Sequence, residues 1–159
     1  GGAECVRLEP ADQKRLQQII GVLLYYARTV NSTVLTRISK LSSQQKDATL
    51  DTLRAAERVL QYLAHQQEAS VTFYKSDMRL ICYSDASYLN ESEGRSRCGG
   101  FFFLGSVDNA VLNGPVLCGS TIIDVVTSSA AESEFAAAFM NAKEAISLRN
   151  LLSSLGYEC

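Results

Sequence analysis

Apolar residues recur at helical spacing from Leu16 onward, at Leu16, Ile19, Ile20, Leu23 and Leu24, behind a Pro10-Ala-Asp12 start. The pattern predicts a helix from about Ala11 to Thr29. Gly1 to Glu9 has no period and predicts a mobile lead. Asn31-Ser-Thr interrupts the pattern and offers a cap for a shorter helix with Leu35, Ile38 and Leu41 facing inward, closed by Ser42-Ser43. A third helix is predicted from Asp47 to Gln67, its inner side formed by Leu50, Leu53, Ala56 or Glu57, Leu60 and Leu63, with Arg54, Arg58 and Gln61 opposite.

From Val71 the period shortens to that of strands: Val71 to Tyr74, Arg79 to Ala86, Gly99 to Leu104 and Gly114 to Cys118, separated by turn-forming residues. An antiparallel meander follows, which Thr121 to Val126 either extends or leaves. Within it, Leu80-Ile-Cys-Tyr-Ser-Asp-Ala-Ser87 reads as a buried strand, covered on both faces and ending in Asp85. A carboxylate at the mouth of such a strand suits a metal ion or a catalytic base, and equally suits a strand end.

Ser128-Ser129 caps a long helix from Ala130 to Leu155 that stops at Gly156. Phe135, Phe139, Ala142 and Ile146 share one face of it, while Leu148, Leu151, Leu152 and Leu155 lie round the cylinder and need separate cover. Glu132 and Glu134 occupy its first turns, where the unpaired N–H groups and the helix dipole favour carboxylates. Either could instead be laid across the sheet beside Asp85, forming a pair of oxygen donors for a divalent ion.

Composition narrows the class. The chain has 159 residues, 47% hydrophobic and 20% charged, enough for one sizeable core and a helical annex. A formal charge of -2 gives no bulk footprint for nucleic acid and does not exclude a local basic patch. Cysteines 5, 82, 98, 118 and 159 lack any C-x-x-C spacing and read as reduced intracellular thiols. The apolar runs fall short of the ~20 residues of a membrane span, and no signal peptide is evident. His65 has only Glu68 within a turn and does not read as a metal ligand.

Tyr83-Ser-Asp-Ala-Ser87, Arg95-Ser-Arg-Cys-Gly-Gly-Phe-Phe-Phe-Leu-Gly105 and Ser128-Ser-Ala-Ala-Glu-Ser-Glu134 resemble, in order and spacing, the ribonuclease H domain of copia-type LTR retrotransposon Pol polyproteins. Upstream, Ile20-Gly-Val-Leu-Leu-Tyr25 and Ala56-Glu-Arg-Val-Leu-Gln-Tyr-Leu63 resemble that family's helices between reverse transcriptase and RNase H. The likeness spans Leu16 to Gly156 and departs from the family at Arg28 to Ser32, where Thr-Arg-Pro-Asp is usual.

The resemblance implies an α/β chain: a helical connection segment over residues 1–70, the C-terminal end of a reverse transcriptase, then an RNase H-like domain over 71–159, reduced to a three-stranded antiparallel meander and a long helix. It implies metal-dependent hydrolysis of the RNA strand of RNA/DNA hybrids during reverse transcription, with two magnesium ions, or manganese, between carboxylates. Asp85 and Glu134 then serve as catalytic and metal-binding residues, Glu134 because Glu134-Phe-Ala-Ala-Ala lines up with the family's Glu-aromatic-x-Ala segment, with Glu132 as runner-up. Ser87, Arg97, Ser128 and Ser129 are expected to meet nucleic acid. The rest of the Pol polyprotein is the expected partner, in a cytoplasmic particle or the nucleus.

The family's third carboxylate lies in an Asp-Asn pair at the end of a further strand, beyond the point where this chain reads Tyr157-Glu-Cys159. Glu158, Asp108 and Asp124 match no motif that replaces it. The chain therefore reads as a fragment or as a copy that no longer cuts, with a decayed or domesticated scaffold or interaction module as the alternative. Without that strand, Arg79 to Ala86 is expected to form an open edge and to promote self-association.

Overall fold

The computed structural model describes residues 7–66, 68–106 and 112–157. The chain divides into two compact units, Gly1–Ser70 and Val71–Cys159.

The first unit is helical. Pro10 opens α1 (Pro10–Thr29), where its fixed φ suits a first turn and its missing N–H costs nothing. Asn31 accepts a bond from the Thr33 N–H at 3.2 Å and starts a single 3₁₀ turn, Ser32–Val34, which leads into α2 (Leu35–Ser43). Thr49 and Thr52 form a reciprocal capping box at the head of α3 (Leu50–His65). Leu16, Ile20, Leu23 and Ala27 of α1 meet Leu35, Ile38 and Leu41 of α2 and Leu53, Ala56 and Val59 of α3 in the core.

Two expectations are corrected in this unit. Leu50 and Leu60 are exposed, and Val59 takes the inward position instead, because the buried residues of α3 follow a three-residue step from Leu53. The lead is tied down at its described end: Arg7 bridges to Thr49, the Leu8 N–H bonds the Ala48 carbonyl, and the Arg7 guanidinium pairs with Asp47 at 2.9 Å. Gly1 to Val6 and Gln67, the end predicted for the third helix, lie outside the described residues.

The second unit is mixed α/β. Strands β1 (Arg79–Ser87), β2 (Arg97–Gly105) and β3 (Pro115–Ile122) form an antiparallel sheet in the order β1-β2-β3, with α4 (Ala130–Ser154) packed on β1 and β2. Among the described residues β1 is paired on one side only, which is the edge expected for Arg79 to Ala86, whereas the cover expected on both of its faces is incomplete, since none of its residues is fully buried. Val71 to Tyr74 does not form the predicted strand. The buried Asn113 amide clamps that segment instead, accepting from the Tyr74 N–H at 2.7 Å while donating to the carbonyls of Tyr74 and Leu104 at 3.0 and 2.7 Å. One side chain thereby does what a ladder of backbone bonds would have done.

The predicted inner face of α4 is corrected more sharply. Phe135 is 78% and Phe139 63% exposed, whereas Ser133, Ala137, Asn141 and Leu152 are buried. Of the leucines expected to need separate cover, Leu152 is buried, Leu148 half-buried, and Leu151 and Leu155 exposed. The helix ends where Gly156 enters the left-handed region at φ +90 and Tyr157 donates back to the Leu152 carbonyl. Among the described residues no helix is long and apolar enough to cross a membrane.

Candidate functional site

The site is built on a row of small residues that lets a helix come close to a sheet. Register pairs Ser84 with Gly100, Asp85 with Gly99 and Ala86 with Cys98. α4 answers with its own small and polar positions, and Ala137 packs against Cys98, Ile123 and Ala86. Asn141 reaches the seam between β1 and β2, its Nδ2 donating to Ser84 Oγ at 2.8 Å and to the Gly99 carbonyl at 2.9 Å. A single buried amide thus joins helix, edge strand and central strand.

The head of α4 is fixed by a closed triangle of buried hydroxyls. Ser96, Thr127 and Ser133 lie mutually within hydrogen-bond distance, with Ser133 Oγ donating to Ser96 Oγ at 2.9 Å. Ser96 Oγ also accepts the Leu89 N–H at 3.1 Å. The triangle links the start of β2, the β3–α4 connection and the residue immediately before Glu134. Rings of this kind are favourable only when every member is satisfied, and they then hold their neighbours rigidly.

Glu134 is exposed, and its charge lies near enough to Cys98 to act on that thiol. The Cys98 thiol titrates above the ordinary cysteine range chiefly because it is buried; a hydrogen bond with Asn141 opposes this, and the charges of Cys82 and Glu134 add to it. Ala137, one helical turn beyond Glu134, packs against Cys98 and Ala86, so the head of α4 covers the end of β1 from the face that carries Ser84 and Ala86. Asp85 is exposed, and its carboxylate has no hydrogen bond or ion pair with any described residue. Because Ser84 faces α4 through Asn141, strand alternation assigns Asp85 to the other face of β1, the one that also carries Tyr83.

Glu132 is a capping residue. Its Oε2 accepts from the Ser128 N–H at 2.7 Å and the Ser128 hydroxyl at 2.6 Å, while Ser129 Oγ accepts the Glu132 N–H at 3.1 Å. The Ser128 hydroxyl, with its backbone N–H second, holds the Glu132 carboxyl below the usual glutamate range. The seryl pair expected at a phosphate is therefore engaged in closing the helix end. Ser87, half-buried, is the last residue of β1 and lies opposite Arg97.

Arg97, expected at the surface, is buried. Its Nε donates to Glu91 at 2.7 Å in a pair whose side chains are 3% and 5% exposed, and its Nη1 contacts the Ser120 carbonyl and hydroxyl at 3.3 Å. It buttresses the loop after β1 and is not presented to a ligand. Sequence reasoning passed over Ser96, Thr127, Ser133, Asn141 and Glu91. The signal available for two of them was a four-residue spacing, Ser133, Ala137, Asn141, that competed with the more conspicuous phenylalanines.

Hard oxygen donors free of protein bonds, such as Asp85 offers, suit magnesium, which is commonly held by one or two carboxylates and by substrate phosphates. Among the described residues no group of three or more His, Cys, Asp or Glu side chains is placed to hold an ion. Asp124 is exposed in the β3–α4 connection, Asp108 and Glu158 lie outside the described residues, and the exposed His65 bonds the Gln61 carbonyl at 2.8 Å. Comparison with protein-family models, with curated proteins and with solved structures finds no match for this chain.

Proposed function

We propose that the second unit is an RNase H-like domain of a copia-type retroelement polyprotein, acting on the RNA strand of RNA/DNA hybrids next to its reverse transcriptase. The observation that carries the reading is the antiparallel meander followed by a capped helix packed on β1 and β2, with Asp85 near the end of β1 and Glu134 in the first turns of the helix. The ordered motifs around Asp85, Cys98 and Glu134 support it. In this reading magnesium would be held at Asp85, with Glu134 on the helix that covers the opposite face of β1 and not sharing one ion with it, and the ion when bound would neutralise charge developing on the phosphate and the leaving oxygen. The chain's own residues position the carboxylates: Asn141 fixes the strand pair beneath Asp85, the hydroxyl triangle fixes Ser133 before Glu134, and Glu132 closes the helix end.

A single carboxylate binds such an ion weakly, so hybrid cleavage by this chain is expected to be negligible. The primary test is therefore ion binding. Titration with manganese, followed by electron paramagnetic resonance, is expected to show weak binding that Asp85→Asn reduces and that Glu134→Gln and Glu132→Gln leave intact. Equal binding by all four proteins removes the reading. Efficient cleavage of labelled hybrid, lost on Asp85→Asn and on Glu134→Gln, would show that the two carboxylates do meet at one ion.

A non-catalytic interaction module is the second reading, favoured by the row of exposed Phe135, Phe139 and Ile146 along the outer side of α4. It predicts no ion dependence at all.

A further inference from the structure

We infer that the helical first unit carries a binding site for one unstacked nucleotide, independent of the carboxylates of the second unit. The site is a groove of about 310 Å³, at the small end of ligand-site volumes. One wall is a ridge of α3, Ala55, Arg58, Val59 and Tyr62, whose spacing of three and four residues places them on one face. The other wall is Thr33 and Val34 of the 3₁₀ turn with Arg37 of α2.

Its chemistry is cationic and aromatic over an apolar floor. Arg37 and Arg58 are exposed, and like Arg28 of the same unit neither forms an ion pair with a described residue, whereas Arg7, Arg15 and Arg54 each have a carboxylate partner. Among the described residues no carboxylate lines the groove. Two unneutralised guanidiniums converging in a chain of net charge -2 form a local anion site, and their planar forks match phosphate oxygens.

Tyr62 adds the selectivity. Its ring is 49% exposed and lies one helical turn beyond Arg58, about 6 Å along the axis, so that a ligand can hold a ring against Tyr62 while its phosphate meets Arg58 and Arg37. A nucleotide has that shape. Bases inside a duplex already stack on one another, so an open aromatic ring selects single-stranded nucleic acid or a free nucleotide. The Thr33 hydroxyl is turned to Asn31 Oδ1, which leaves the arginines as the donors to phosphate.

The test is fluorescence anisotropy of a labelled single-stranded oligonucleotide with the whole chain. Binding is expected to weaken with salt, and the logarithmic slope to fall by about 0.7 for each arginine removed in Arg37→Gln and Arg58→Gln. Tyr62→Leu is expected to weaken binding about 5- to 150-fold, with Tyr62→Phe close to wild type. Arg7→Gln, which removes a paired arginine remote from the groove, controls for net charge, and urea midpoints confirm that each variant folds. Competition by adenosine monophosphate shows that a free nucleotide suffices, whereas competition by oligonucleotide alone assigns the site to a strand. The inference is overturned if the double arginine variant folds and binds unchanged, if Tyr62→Phe and Tyr62→Leu lose affinity alike, or if polyglutamate competes as well as the oligonucleotide.

Discussion

The side-chain oxygen of Asn141 lies where a Cβ on Gly100 would have to be, with Asn141 Cγ and Phe102 Cε2 each 3.0 Å from the same point. The two residues occupy one space, and neither can grow without displacing the amide that joins α4 to β1. Gly100→Ala is expected to cost about 1–3 kcal/mol by overpacking. Gly119 meets nothing within 4 Å, so Gly119→Ala is the matched control, neutral or slightly stabilising. Urea unfolding of the two variants distinguishes local crowding from general intolerance of the sheet to alanine.

The hydroxyl triangle makes a second prediction. Ser133→Ala removes one corner and leaves the buried Ser96 and Thr127 hydroxyls with fewer partners, at a cost of about 1–3 kcal/mol. Ser129→Ala removes only the exposed cap, worth about 1 kcal/mol. The larger loss should fall on the residue that has the less prominent place in the motif, and thermal unfolding measures both.

For the ion pairs, burial decides the magnitude. Arg97→Ala strands Glu91 in a nearly closed environment and should cost about 3–5 kcal/mol. Arg7→Ala breaks a pair with side chains 81% and 68% exposed and should cost about 1 kcal/mol or less. A double mutant cycle with Glu91→Ala isolates the pair term, and comparable losses for the two arginines would contradict the buried placement of Arg97.

Acid should loosen the head of α4. The Glu132 carboxyl titrates below its ordinary value of 4.5 because Ser128 bonds its charged form, so its stabilising contribution is complete above that value and disappears as the pH falls through the lower, folded-state value. Glu132→Gln should therefore lower stability at neutral pH and flatten the dependence below about pH 4.5. Urea midpoints followed from pH 7 down to acid, for wild type and variant, should converge at the acid end.

Much of the architecture was legible in the chain. The periods of three to four residues and of two mark α1, α2, the three strands and α4, and the turn residues between consecutive strands locate the sheet. The helix faces were less legible. Apolar periodicity assigns Phe135 and Phe139 to the interior, yet α4 crosses a sheet surface made of Ser84, Ala86, Cys98, Gly99 and Gly100, and only small or hydrogen-bonding residues allow that approach. Large side chains were excluded by the narrowness of the gap, which depends on the partner strands and is invisible along the helix itself. Arg97 escaped for a related reason: its charge suggests solvent, and only the return of the loop bearing Glu91 buries it. At the candidate site Asp85 and Glu134 carried motif signals, whereas the groove residues Arg37, Arg58 and Tyr62 sit on two helices whose packing had to be seen.

The one-sided pairing of β1 divides its amides into two populations. In an antiparallel pair, residues alternate between those whose N–H groups point to the neighbouring strand and those whose N–H groups point away. Along Arg79 to Ser87, every second amide is therefore bonded to β2 while the ones between have no partner strand among the described residues. Hydrogen–deuterium exchange should reproduce this as a comb, slow and fast teeth alternating along one strand, and a ligand or partner strand that settles on the edge should slow the fast teeth alone.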